Sequence, residues 1–475
     1  MTTTTAPPPA AGALSPGRQW AVLAVILAAE VLDLIDATIT NVAAPTIAAS
    51  LHGGTSLVQW LGAAYALALG VLLVTGGRLG DKYGRRRVFL TGLAGFTLAS
   101  VACGLAVSPQ LLVVSRLIQG AFGALLIPQG FGILGAVFPR DQIGKAFSAF
   151  GPVLGLSAVS GPILAAFLID ADPFGLGWRS MFLINILLGG AALLAAARLL
   201  PHDEGDRSVT VDAIGSLLLA AAMGGLLFGL IDGSGSGWHP RAWLALGAGA
   251  VFLVLFARRQ TTAATPLIQP SLFKNRGFVS GLALGIAFFA AVAGLLYVIS
   301  LFLQDGLGYS PLRTALIGTA PVAAGIVVAS IACHRLIAVL GRRLVLIGLL
   351  TTLTGTLGLW AAVHASGTGT SAAAIVPAAL VIGLGMGTCF GTVYDITLGD
   401  VTPAEAGSGS GSLTAVQQLA NALGAAAVTT VYFHSHTGGR PAHAMTTSLL
   451  LVAGVTLLSC GLVRLLPRRV KPQHH

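Results

Sequence analysis

RLGDKYGRRRV at residues 78–88 recurs as RLIAVLGRRLV at residues 335–345, and these two strings decide how the rest of the chain is read. At an offset of 257, Arg78, Leu79, Gly84, Arg85, Arg86 and Val88 fall on Arg335, Leu336, Gly341, Arg342, Arg343 and Val345. Each string is a short basic turn between two long apolar runs. The same offset lays the first apolar run on the ninth, so runs one to six and nine to fourteen read as two copies of a six-helix unit. Runs seven and eight are then an insertion between the copies.

The runs themselves set the fold class. Of 475 residues, 55% are hydrophobic and only 9% charged, with a mean hydropathy of +0.87. A water-soluble protein of this size covers itself with about a quarter of its residues charged, so here the solvent is the bilayer. A span needs about 20 predominantly apolar residues, and fourteen such runs are present, the first near 19–43, the fifth near 143–168 and the tenth near 312–337. They are too long for strands and show no period-two alternation, which excludes a barrel and predicts an all-α polytopic membrane protein. The expected divisions are a disordered tail at 1–18, a six-helix bundle at 19–199, two inserted helices with their loops at 200–277, a second six-helix bundle at 278–466 and a short tail at 467–475.

The net charge of +10 could point to nucleic acid, but its placement argues for a membrane. With the N-terminus inside, the cytoplasmic segments hold 21 of the 26 Lys and Arg residues, the loop asymmetry expected of an inner-membrane protein with both termini cytoplasmic. Cys103, Cys333, Cys389 and Cys460 fall in apolar runs without metal-like spacing, so no disulfide or metal site is expected. No Walker-type glycine-rich segment ending in Lys and Ser or Thr is present, and no catalytic triad is visible, so neither a nucleotide-driven pump nor an enzyme is expected. The expected partners are a small-molecule substrate, protons and the bilayer, with no cofactor, the proton gradient as energy source, and a monomer as the functional unit.

Three acids, Glu30, Asp33 and Asp36, stand in the first apolar run. At 100° per residue they share one stripe with Thr40 and Asn41, while Val31, Leu32, Ile35 and Ile39 take the other arc. A charged acid at mid-bilayer costs roughly 2.5 to 3.5 kcal/mol on insertion scales, and intramembrane acids mark proton relays and substrate paths. The stripe is therefore expected to face a cavity, with a hydrogen-bonded structural cluster as the alternative. Arg116 is the one basic residue expected deep in a span, at a depth that matches Asp36. A charge pair between them is expected, either coupled to transport or purely structural. Under the repeat, Asp36, Asp81 and Arg116 fall on Ala293, Ala338 and Ala373, so ionisable chemistry is expected in the N-terminal half.

Gly77, Asp81, Gly84, Arg85 and Arg86 in the turn between runs two and three resemble the signature turn of the major facilitator superfamily. The remainder resembles its drug:proton antiporter-2 branch with fourteen spans. Residues 36–45, DATITNVAAP, are similar to the branch's span-one motif, and Arg116, Gln119 and Gly120 to its span-four motif. Gly161 and Pro162 are similar to the kink motif of antiporters, except that the following glycine pair is replaced by Ala165 and Ala166. The resemblance implies that Asp81 and the arginines latch the two halves on the cytoplasmic side, an acid at a helix N-terminus being favourably placed in the helix dipole. It implies that Arg116 assists proton transfer and that Gly161 and Pro162 bend a helix. Asn41, Tyr65, Gln119, Gln129, Tyr297, Tyr394, Gln418 and Asn421 are further polar residues in spans, expected to line a cavity or to make interhelical hydrogen bonds. The function expected is export of a hydrophobic or amphipathic compound in exchange for protons. A proton-coupled importer of a polar metabolite and a sensor built on the same fold are the rivals.

Overall fold

The computed structural model describes residues 15–138, 142, 150–236, 238–268, 270–333, 336–399, 401, 406–436 and 439–467, while Lys145, Arg335 and the side chains of Asn41 and Pro162 lie outside the described residues. Buried in lipid, a chain can satisfy its backbone only within helices or a closed barrel. Among the described residues the long elements are all helices: α1 (Pro16–Ser50), α2 (Gly54–Tyr83), α3 (Arg85–Gly104), α4 (Pro109–Val137), α5 (Phe150–Ala171), α6 (Ser180–Leu199) and α7 (Ala213–Ser236). They continue with α8 (Pro240–Thr262), α9 (Arg276–Leu301), α10 (Pro311–Cys333), α11 (Arg342–Ser366), α12 (Ala372–Leu398), α13 (Ala406–Ser435) and α14 (Pro441–Leu462).

Eleven helical stretches are long and apolar enough to cross a membrane among the described residues. The other three, α1, α5 and α13, have 35, 22 and 30 residues. α1 carries its three acids and α13 is rich in Gly, Ser and Gln, which lowers the apolarity of both. α1 is longer than its apolar run, continuing through Pro45 to Ser50. α10 opens with a turn at Pro311–Thr314 and a π-helical stretch at Ala315–Thr319 before becoming regular at Ala320. Side-chain caps fix several starts: Ser108 Oγ accepts from the Leu111 amide at 3.2 Å and Asn275 Oδ1 from the Phe278 amide at 3.1 Å.

The two copies of the repeat pack alike. α1 lies on α5, α2 on α4, and α3 on both α4 and α6; in the second copy α9 lies on α13, α10 on α12, and α11 on both α12 and α14. Even the basic turns correspond, since Gly84 and Gly341 both take positive φ, at 94° and 48°. A residue with a Cβ is strained there, so glycine is the residue that lets the chain reverse between paired helices. The halves meet through α2 against α13 and α5 against α10, pairs that the repeat exchanges. The inserted α7 packs on both α2 and α13, and α8 packs on α7.

The halves are held together at the end away from the basic turns. There Tyr297 Oη donates to the Val58 carbonyl at 2.5 Å, Gln59 Nε2 donates to Thr430 Oγ1 at 3.3 Å, and Ile163 packs with Leu312 and Ala315. At the basic end, among the described residues, the apolar cores are separate clusters. One surrounds Ile26, Leu93 and Phe96 and takes in Ala415 from the other half; the second surrounds Leu272, Phe278 and Leu413.

Candidate functional site

The acids of α1 are placed by the bundle of the N-terminal half. Asp36 is fully buried: Arg116 Nη1 from α4 donates to its Oδ2, and Asn185 Nδ2 from α6 donates to its Oδ1 at 2.9 Å. Asn185 Nδ2 also donates to Ser100 Oγ on α3 at 2.8 Å, and Ser100 donates to the Phe182 carbonyl at 3.0 Å. Arg116 Nη1 further donates to Gln119 Oε1 at 2.8 Å, one helical turn on. Four helices thus contribute polar atoms to one buried network. Uncompensated, a charge at this depth is expensive, and here each ion finds its partner, while Arg116 Nε and Gln119 Nε2 are left without a hydrogen bond among the described residues.

One turn towards the basic end, Asp33 Oδ1 accepts a hydrogen bond from Tyr65 Oη of α2. The Tyr65 ring also lies under the Arg116 guanidinium, 4.5 Å from its centre, within cation–π range. Tyr65 therefore touches both acid sites, one through its hydroxyl and one through its ring. Glu30 follows on the same face, half-buried, near Gly130 of α4. The three acids form a graded series along α1 from half-buried Glu30 to fully buried Asp36.

This placement corrects part of the sequence reading. The stripe does not face an open cavity at Asp33 and Asp36; it faces α2, α4 and α6, because an ion pair at this depth is compensated only by polar groups of the bundle. Gln119, Gln129 and Tyr297 are likewise buried, and Gln129 and Tyr297 make interhelical hydrogen bonds, the alternative to lining a cavity. Gln129 Nε2 donates to the Gly76 carbonyl at 2.8 Å and Tyr297 ties the halves together as described above. Tyr65 is buried against Asp33. Half-buried Tyr394, Gln418 and Asn421 remain on the C-terminal half, where Tyr394 Oη donates to Gln417 Oε1 at 2.5 Å. Asn41, by its side chain, lies outside the described residues.

Gly161 gives α5 its close approach to α1. A methyl group there would collide with Thr38 Oγ1 and lie 3.3 Å from the Ile35 Cα, so the glycine brings the two backbones together beside the acid stripe. Pro162, by its side chain, lies outside the described residues.

The basic turn is built differently from the expectation. Asp81 is not at a helix N-terminus; it lies in the last turn of α2 and accepts from Arg85 Nη2 at 3.1 Å across the turn. Among the described residues its carboxylate has no partner in the C-terminal half. The amides that open α3 are instead taken by Asp203, in the linker between α6 and α7: Arg85 N donates to Oδ2 at 2.6 Å and Arg86 N to Oδ1 at 3.1 Å. The linker is further tied by the Asp206 amide to the Asp81 carbonyl at 2.7 Å and by Arg86 Nη1 to His202 Nε2 at 2.9 Å. Arg85 Nη1 reaches the Gly132 carbonyl at 2.6 Å, and Gly77 and Gly80 seat α2 against Pro128 and Gln129 of α4. Nothing in the sequence marks Asp203, because a cap from a distant loop has no local spacing to reveal it.

A family model described as Major Facilitator Superfamily matches residues 26–425 of this chain. The chain is 43% identical over 436 residues to the "Probable actinorhodin transporter" of Streptomyces coelicolor, covering 91% of this chain and 74% of that protein. It is 32% identical to the "Puromycin resistance protein pur8" of Streptomyces alboniger, covering 94% and 90%. To the "Tetracenomycin C resistance and export protein" of Streptomyces glaucescens it is 31% identical, covering 86% and 75%. Among solved structures, a D-xylose-proton symporter superposes with a TM-score of 0.68 at 16% identity, covering 94% of this chain and 98% of that one, a likeness of fold alone.

Proposed function

We propose that this chain, which belongs to the Major Facilitator Superfamily, exports small hydrophobic or amphipathic compounds of antibiotic type in exchange for protons. The observation that carries the reading is the buried Asp36 carboxylate, shared between Arg116 and Asn185 inside one half, with Asp33 and Glu30 following towards the basic end. The names of the relatives, which include transport and resistance proteins for three different antibiotics, favour efflux over uptake.

In this reading all fourteen helices cross a bacterial inner membrane, both termini and the basic end face the cytoplasm, and one chain is the working unit. A proton taken up by Asp36 discharges its pair with Arg116, and the freed guanidinium then changes partners. That exchange couples protonation to a shift of α1 and α4 within their half. Differential stabilisation of two arrangements is what alternating access needs. Contacts at the end opposite the basic turns, Tyr297 to Val58 and Gln59 to Thr430, must part for the cavity to open outwards. Apolar surface between the halves, with Tyr394, Gln418 and Asn421 as polar points, would receive the compound. The proton gradient is the only energy source, with no cofactor.

The reading is tested in everted membrane vesicles from cells expressing the full chain. An imposed pH gradient should drive accumulation of planar apolar antibiotics, and collapsing the gradient with a protonophore should abolish it. Accumulation that is unaffected by the protonophore would overturn proton exchange.

A further inference from the structure

The two basic turns correspond in the repeat but differ in how their charge is met. In the N-terminal half, Asp203 occupies the first amides of α3, and Asp81 faces Arg85. In the C-terminal half neither acid has a counterpart: Asp81 falls on Ala338, and the stretches 272–281, 336–345 and 459–475 contain no Asp or Glu.

Yet the C-terminal turn 335–345 still carries three arginines and no acid of its own. Arg276 at the start of α9, Arg342 at the start of α11 and Arg464 just after α14 line one open cavity of about 710 Å³, with Leu465 and Pro467 on its apolar rim. Arg342 is fixed there, its Nη1 donating to the Arg464 carbonyl at 3.3 Å and the Leu466 carbonyl at 3.1 Å. Among the described residues none of the three arginines pairs with a carboxylate. Three guanidinium groups converging on one cavity repel one another, and planar forks of this kind match the oxygens of a phosphate.

We propose that this cavity binds the phosphate headgroup of an anionic phospholipid, which supplies to the C-terminal half the negative charge that Asp203 and Asp81 supply to the N-terminal half. The position suits a lipid. All three arginines sit at the ends of helices that reach the bilayer surface, and basic pockets between such helices are recognised headgroup sites. Leu465, which is exposed, offers apolar surface beside the arginines for the first carbons of an acyl chain. The assignment to the cytoplasmic leaflet rests on the proposed orientation, whereas binding itself does not, so a topology reporter separates failure of one from failure of the other.

The test titrates phosphatidylglycerol into the full-length protein in neutral detergent and counts bound lipid by native mass spectrometry. Phosphatidylcholine and inorganic phosphate are run as separate arms. Each arginine removed should weaken phosphatidylglycerol binding about fivefold, so the double variant Arg342→Gln/Arg464→Gln should lose on the order of 25-fold. Arg343→Gln, which does not line the cavity, should stay within about twofold. Should the double variant fail to fold, Arg276→Gln, an exposed residue at a helix start, carries the same test with its fivefold loss. Equal binding by wild type and folded variants, or equal binding of phosphatidylcholine, would overturn the proposal. Displacement of the lipid by millimolar inorganic phosphate would assign the cavity to a free anion and overturn the lipid.

Discussion

Arg116 and Asp36 form an ion pair whose side chains are 1% and 0% exposed, inside the helix bundle of the N-terminal half. A pair buried this completely is held by its surroundings, and each partner is costly without the other.

Removing Arg116 should therefore destabilise the protein more than removing both charges together. Arg116→Ala leaves the Asp36 carboxylate buried with Asn185 as its remaining donor, and a loss of about 3–5 kcal/mol is expected. Arg116→Gln combined with Asp36→Asn should recover most of it. Thermal unfolding of the purified single and double variants measures the coupling, and additive losses would show that the pair contributes no interaction of its own.

Tyr65 should connect the two acid sites. In Tyr65→Phe the ring keeps its place under Arg116 while Asp33 loses its hydrogen-bond donor; in Tyr65→Leu both contacts go. The phenylalanine variant is expected to keep near-normal stability and to shift the pH profile of transport. The leucine variant should also lose stability, by about 1–2 kcal/mol from the desolvated cation–π contact. Identical pH profiles for wild type and Tyr65→Phe would contradict the link.

Asp203 should hold the basic turn without taking part in proton exchange. Asp203→Ala removes the cap from the first amides of α3, at a cost of about 1 kcal/mol. Faster hydrogen exchange at Arg85 and Arg86, with gradient-driven transport retained, is the expected result. The neighbouring Asp206 carboxyl is held below its ordinary value by the Ser208 hydroxyl and amide that donate to it. A lowered value means that its contribution is present above the usual carboxylate range and is lost as the pH falls through the folded value. The turn between Asp206 and Ser208 should accordingly persist from neutral pH down through the usual carboxylate range, and exchange at the Ser208 amide that quickens already near pH 6 would contradict this.

Orientation has its own test. Reporters fused after Arg207 and after Lys274 should report cytoplasm, and one fused after Trp238 should report the outside, because the basic linkers flank the inserted pair α7 and α8. Any reversed pair would undo the proposed topology.

How much of this was legible in the sequence depended on the range of the interaction. Helices of span length, the basic turn and its second copy follow from apolar runs and an eleven-residue match, because bilayer thickness and backbone hydrogen bonding act on contiguous residues. The meeting of Arg116 and Asp36 was readable from depth, although α1 runs on past its apolar run to Ser50. Periodicity placed Asp33 and Asp36 on one face but could not say what that face meets. The helix moment of α1 is as consistent with α4 and α6 as with water. Gln119, Gln129 and Tyr297 were indistinguishable from cavity residues for the same reason, since a polar side chain in an apolar run must be satisfied somewhere and only tertiary packing says where. Asp203 was missed because its partners lie more than a hundred residues away. Asn185 was missed likewise, since its role as second donor to Asp36 required the placement of α6.

The central claim is that Asp36 carries the exchanged proton, and transport into proteoliposomes under an imposed pH gradient tests it most directly. Asp36→Asn keeps the side chain's size and an oxygen for Arg116 but can no longer exchange a proton. Gradient-driven accumulation of a compound exported by the wild type should fall to the level of empty liposomes, while equilibrium binding of that compound to the detergent-purified variant stays within a few-fold of wild type. Full gradient-driven transport by Asp36→Asn would contradict the account and leave Glu30 and Asp33 as the groups to examine.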